Sequence, residues 1–125
     1  VAFIDLDRLT KALVEFADER QWQKFHTPKN LTLALVGEVG ELAEIVQWLP
    51  EGHDFTAGER RRLGEELSDV LMYVVRLADV LGIDLDSAVT AKLARNAERY
   101  RADEVMGSSR KMPHRPDSGV DESGV

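Results

Sequence analysis

Four carboxylates occupy positions where a buried helix face calls for apolar side chains. Read as a helix, Leu31 to Trp48 carries a stripe at spacings of three and four through Leu31, Ala34, Leu35, Leu42, Ile45 and Trp48, interrupted by Glu38 and Glu41. The segment Glu59 to Leu81 repeats the arrangement, with Arg62, Leu63, Val70, Tyr73, Leu77 and Val80 interrupted by Glu66 and Asp69. Residues three apart share a helix face, so each pair can grip one cation from one side. Without a cation the grouping is costly. Two like charges ~4 Å apart repel by roughly 4 kcal/mol at an effective dielectric near 20, and desolvation adds several more per ion.

An all-carboxylate set is a hard, oxygen-only site and points to Mg²⁺, with Mn²⁺ as the alternative. A di-iron bundle needs a histidine three residues after a glutamate on two helices. The histidines here are His26, His53 and His114, and none stands in that relation. Zinc is disfavoured by the same lack of His and Cys ligands. The plainer reading of one such acid pair is a solvated surface, paired here with Arg60, Arg61, Arg62 or Arg76. Two pairs, each inside an otherwise apolar stripe, favour the metal. Glu44 and Glu65 fall off both stripes and read as surface charges.

A magnesium ion held only by protein carboxylates keeps positions open for water and substrate phosphates, which suggests phosphate-ester or phosphoanhydride hydrolysis. Further along the chain, Lys92 and Asn96 share a helix face, with Arg99 and Tyr100 a turn beyond. Such groups could neutralise charge developing on phosphate, although Lys92 and Arg99 read equally well as snorkelling surface chains. Trp22, Phe25, His26 and Trp48 flank the first acid helix and could stack on a base; any one alone is more often a core residue.

The elements that must position these groups are helical. At 125 residues the chain is one domain with a single core. Asp5 or Asp7 can cap a first helix through Leu6, Leu9, Leu13 and Phe16, ending near Trp22 or Lys24. Thr27 and Pro28 start the second, which stops at Pro50 and carries Gly37 and Gly40 off its acid face, a hint of a close neighbour there. A loop to Gly58 precedes the third helix, about Glu59 to Leu81, whose second face (Leu67, Leu71, Val74, Ala78) is also apolar. Gly82 ends it, and Asp84 caps a fourth reaching about Tyr100. The expected fold is all-α, an antiparallel four-helix bundle-like subunit completed by dimerisation. Residues 1–102 form its domain, and 103–125, rich in Gly, Ser, Pro and charge, a flexible C-terminal tail.

A formal net charge of −7 argues against a nucleic-acid surface but not against a metal-bound nucleotide. There is no cysteine, so thiol nucleophiles and disulfides are excluded. No apolar run approaches the ~20 residues that span a bilayer, and no signal pattern opens the chain. The expected compartment is the cytoplasm.

With these residues in view, EVGELAEIVQW, EELSDVLMYVVRLA and KLARNAERY together resemble the all-α nucleoside triphosphate pyrophosphohydrolases of the MazG-like superfamily. The segment ERQWQKFHTPKNLTLALVGEVGEL is similar to its dCTP pyrophosphatase branch. The resemblance implies Mg²⁺-dependent hydrolysis of a (deoxy)nucleoside triphosphate, dCTP or a 5-modified dCTP first, to monophosphate and pyrophosphate as nucleotide-pool house-cleaning. It makes Glu38, Glu41, Glu66 and Asp69 the metal ligands, with Glu41 a candidate to orient the water. Trp22, His26, Trp48 and Tyr73 match base and sugar contacts, and Lys92, Asn96 and Tyr100 phosphate contacts. Where the dCTP branch has a pocket histidine on helix one, this chain has Leu13, which bears on base preference. The family's subunits pair, implying a homodimer or homotetramer. The rival readings are dUTP or broad-specificity hydrolysis, and a non-catalytic helical module that binds metal or nucleotide without turnover.

Overall fold

A computed structural model describes residues 4–113. They fold as helices and turns with no strand among them, so the all-α class holds. The helices are α1 (Leu6–Glu19), α2 (Pro28–Val46), α3 (Ala57–Val80), α4 (Leu85–Arg99) and the single turn α5 (Ala102–Val105), with a 3₁₀ turn at Gln23–Phe25. Two compact units divide between Leu85 and Asp86. The first holds α1 to α3.

Asp5 starts α1, its side chain accepting the Arg8 backbone N–H at 3.0 Å. The helix stops at Glu19, short of the expected Trp22 or Lys24. Trp22 N–H reaches back to the Ala17 carbonyl (2.9 Å) and Gln21 N–H to that of Asp18 (3.1 Å), the paired closing bonds of a Schellman stop. Gln21 takes the left-handed position, at φ 53°, where glycine is usual. α3 ends with the same two bonds, Ile83 to Ala78 (2.8 Å) and Gly82 to Asp79 (3.1 Å). There the left-handed residue is Gly82, at φ 68°.

Thr27 caps α2 by accepting the Asn30 N–H at 3.2 Å, with Pro28 at the first helical position as expected. The helix ends at Val46, short of the expected Pro50, and a two-residue turn and a bend lead from it to the proline. α3 begins at Ala57, two residues earlier than expected, through a reciprocal cap. Thr56 Oγ1 accepts the Glu59 N–H at 3.1 Å, and Glu59 Oε1 accepts the Thr56 N–H at 2.9 Å. His53 Nε2 lies 3.1 Å from the same Glu59 oxygen and ties the preceding loop to this cap.

α3 packs against both α1 and α2. The buried apolar side chains among the described residues are Ala17, Leu31, Val75 and Ala78, contributed by all three helices. Glu38 lies about two turns before the end of α2, and Glu66 between two and three turns after the start of α3. The paired helices therefore run antiparallel. The close neighbour expected at Gly37 and Gly40 is not supplied by the described residues: among them, a Cβ at either would meet nothing within 4 Å. Leu33, Val36 and Val39 nearby on α2 are exposed, as is Leu67 on the second face of α3, which turns half-buried at Leu71 and Val74.

In the second unit, α4 follows Asp84 and spans the expected residues. Arg99 Nε donates to the Met112 carbonyl at 2.6 Å, so residues beyond the helix fold back on its end. α5 crosses the boundary expected at residue 102. The expected tail lies, from His114 on, outside the described residues.

The two Schellman stops make opposite predictions. Gln21→Gly relieves a left-handed non-glycine residue and should raise unfolding stability by about 1 kcal/mol; Gly82→Ala should lower it by about the same amount. Urea midpoints of the two variants against the parent chain decide both.

Candidate functional site

The antiparallel pairing of α2 with α3 brings the two acid pairs together. One carboxylate oxygen each from Glu38, Glu66 and Asp69 falls within 4.8 Å of the others. Glu41, more exposed, stands close enough to the Glu38 and Glu66 carboxyls to shift both. None of the ion pairs among the described residues involves these four. Arg76, one of the arginines that could have paired with them, is 8% exposed and binds Asp79 instead.

The electrostatics are those of acids short of a partner. Glu38 Oε2 and Glu66 Oε2 are buried with no hydrogen-bond partner, which is unfavourable for a charged group. Burial, then hydrogen bonding with Glu41 and its charge, then Asp69 and Glu66, push the Glu38 carboxyl up to about 7. Burial and Glu41, with Asp69, also raise Glu66. A divalent cation answers both conditions. Magnesium holds oxygens at 2.0–2.1 Å, so opposite ligands lie about 4 Å apart, close to the observed spread. The donor set and its two orphaned buried oxygens fit a hard cation.

A cavity of ≈ 450 Å³ lies between α1 and α3. Leu9, Ala12, Leu13, Phe16 and Met72 form its apolar wall, and Trp22, His26, Asp69, Tyr73 and Arg76 bring polar atoms to it. The Schellman stop delivers Trp22 to this place. The 3₁₀ turn that follows delivers His26, whose ring lies 6.4 Å from that of Trp22. Phe16 meets Trp22 edge-on at 5.8 Å. Asp69 belongs to both the acid cluster and the cavity wall, so the two form one continuous site. Burial, then the Arg76 charge, push the His26 imidazole below its usual range.

Of the residues singled out from the sequence, the structure thus gathers Glu38, Glu66 and Asp69 at one point, with the exposed Glu41 beside them, and Trp22, His26 and Tyr73 around the adjoining cavity. Leu13 lines it too. Trp48 sits just past α2, 87% exposed, and is not among the lining residues. Lys92, Asn96 and Tyr100 belong to the second unit, where Lys92 is exposed and Asn96 and Tyr100 are half-buried. Arg76 is the functional candidate that sequence reasoning passed over as a surface charge. Its place three residues after Tyr73, on the face that carries Asp69, was the available sign.

The raised Glu38 carboxyl sets a pH dependence for the metal-free protein. Between the ordinary 4.5 and about 7 the folded chain keeps a proton that the unfolded chain has lost. This contribution to stability is full below that window and is lost as pH rises through it. Thermal unfolding in chelator should show a lower midpoint at pH 7.5 than at pH 5, with Mg²⁺ reversing the loss. Glu38→Gln should flatten the dependence. Calorimetry near pH 6.5, in buffers of different ionisation enthalpy, should show protons released as the cation binds.

Comparison with known proteins adds the following. The profile of the MazG-like family matches residues 33–114. Homo sapiens dCTP pyrophosphatase 1 is 47% identical over 121 residues, spanning 94% of this chain and 71% of the human protein. The Mus musculus protein of the same name is 44% identical over 122 residues, spanning 94% of this chain and 72% of its own length. Among solved structures, a pyrophosphatase from Archaeoglobus fulgidus superposes with a TM-score of 0.66 at 34% identity, over 81% of this chain and 98% of that one.

Proposed function

The chain belongs to the MazG-like family, and from that premise we propose that it hydrolyses dCTP, or a 5-modified dCTP, to the monophosphate and pyrophosphate. Membership, with close relatives that are dCTP pyrophosphatases, makes it an enzyme, a nucleoside triphosphate diphosphatase. The observation that carries the finer reading is the sharing of Asp69 between the acid cluster and the cavity. A nucleoside triphosphate has the matching halves, a polyanion that needs a cation and a flat base that needs apolar walls. The cavity volume lies within the ordinary range for small-molecule pockets.

Glu38, Glu41, Glu66 and Asp69 would hold Mg²⁺, or Mn²⁺ in its place. When bound, the cation supplies neutralisation of phosphate charge and a more acidic water. Trp22 and Tyr73 flank the base, with His26 offering a polar edge; Trp48 is assigned to the base pocket on family likeness alone. Lys92, Asn96 and Tyr100 are assigned to the phosphates on the same ground. Glu41, the most accessible of the four acids, orients a water toward the α-phosphorus and accepts its proton. The new P–O bond forms as the bond from the α-phosphorus to the bridging oxygen breaks, and pyrophosphate leaves. Residues 1–102 make up this domain, with 103–125 as an appended tail.

A homodimer or homotetramer belongs to the same proposal. It is supported by the exposed Leu33, Val36 and Val39 and the open space over Gly37 and Gly40. So does a cytoplasmic role in cleansing the nucleotide pool; among the described residues no helix is long and apolar enough to cross a membrane. Leu13 in the cavity wall favours testing a second reading, dUTP or broad-specificity hydrolysis, because an apolar side chain stands where the dCTP branch has a histidine.

Pyrophosphate release measured over dCTP, 5-methyl-dCTP, dUTP, dTTP, ATP and GTP with Mg²⁺ separates these readings. The cytosine nucleotides should lead, and equal low rates on all six would leave the dCTP assignment without support. Glu41→Ala should reduce turnover by about 10²–10⁴-fold, the range for a lost positioned base, with helicity retained. Asp69→Ala should abolish it. Undiminished activity in either variant removes that residue from the machinery.

A further inference from the structure

Arg76 and His26 meet in the cavity wall in a way that limits what His26 can do. Arg76 Nε lies 3.0 Å from His26 Nδ1. A guanidinium carries only donors, so Nδ1 must present its lone pair. An imidazolium would set N–H against N–H, and a flipped ring would set a carbon there. The contact therefore selects a neutral ring with its one proton on Nε2. The same burial and Arg76 charge that lower the affinity of the ring for a second proton act in this direction.

Arg76 is itself held. Its Nη1 donates to Asp79 Oδ2 at 2.9 Å, and the side chain is 10% exposed. Among the described residues no protein group hydrogen-bonds to His26 Nε2, which leaves that edge for a ligand. The other titratable groups at the cavity are Asp69 and Tyr73.

We propose that Arg76, anchored by Asp79, is a positioning residue that fixes His26 as the Nε2–H tautomer, a committed donor to an acceptor atom on the nucleoside part of the substrate. This rests on reading the cavity as the nucleoside pocket. The partner atom must be a ring nitrogen, carbonyl or sugar oxygen with a free lone pair; an amino N–H at that point is rejected, because a buried donor facing a donor leaves both unpaired.

The test begins without substrate. Long-range ¹H–¹⁵N correlation on the full chain with labelled histidine, at pH 7.5, should show His26 protonated at Nε2 and bare at Nδ1. A proton on Nδ1, or on both nitrogens, overturns the proposal. Arg76→Met should relax the ring to a tautomer mixture and raise KM for dCTP about tenfold, the weight of one hydrogen bond, with kcat changed less than about twofold. Arg76→Lys, which still presents only donors, should recover part of both effects. A KM rise in Arg76→Met with the tautomer unchanged would show a merely structural role and also overturn the proposal. Should Arg76→Met fail to fold, Asp79→Asn, which loosens the anchor of Arg76, carries the same tautomer and KM readouts. Should no nucleotide be hydrolysed, the tautomer result stands apart from the failure of the substrate reading.

Discussion

Carboxylates facing each other across a helix pair are the constraint on which the rest of this structure depends. Four acids of like charge can be held together only if helices are pinned in register from both ends; otherwise the pair would slide or rotate to expose them. The caps do the pinning. Thr27 and Pro28 fix where α2 starts, and Thr56, Glu59 and His53 fix where α3 starts. The loop between them then sets which turn of α2 faces which turn of α3. Each cap contributes on the order of 1 kcal/mol, comparable to part of the repulsion it must withstand, and their positions matter more than their energies.

α3 serves two sites at once because a helix has more than one face. Glu66 and Asp69 meet α2, while Tyr73 and Arg76, one and two turns on, meet the cavity beside α1. Asp69 sits where the faces overlap. On the α1 side, the early stop at Glu19 is what makes a pocket possible. A helix continued to Lys24 would carry Trp22 along its own spiral. Instead the left-handed step at Gln21 turns the chain, so that Trp22 and His26 arrive at the cavity from a short irregular segment. Conformational strain at Gln21, next to the lining residue Trp22, and the unpartnered acid at Glu38 are both local departures from stable design.

How much of this could be read beforehand follows from the physics of each element. The acid cluster was legible because apolar periodicity makes an interrupting carboxylate conspicuous. The stop of α3 was legible because Gly82 is the usual left-handed residue; the stop of α1 was not, since glutamine carries no such mark. The Thr-x-x-Glu cap at Thr56 was present in the sequence and overlooked, which displaced the expected start of α3 by two residues. Arg76 could not be placed by charge alone. A guanidinium among apolar neighbours becomes intelligible only when His26, fifty residues away, is seen to receive it. The open space over Gly37 and Gly40 was likewise beyond reach of composition, because the contacts a glycine permits need not come from its own chain.

The energetic character of the fold follows from these choices. Few apolar side chains among the described residues are fully buried, and the α2–α3 seam, which could have been apolar throughout, is given over to carboxylates. Replacing such groups with well-packed apolar residues is often neutral or stabilising in proteins generally, so stability alone does not account for their presence. A cation that binds the folded chain and not the unfolded one stabilises it by mass action, by about 2.7 kcal/mol at a hundred times its dissociation constant. That is the order of the like-charge repulsion it would relieve. The charge cluster that weakens the fold would then be the feature through which a cation strengthens it, coupling the proposed site to stability through Glu38, Glu66 and Asp69.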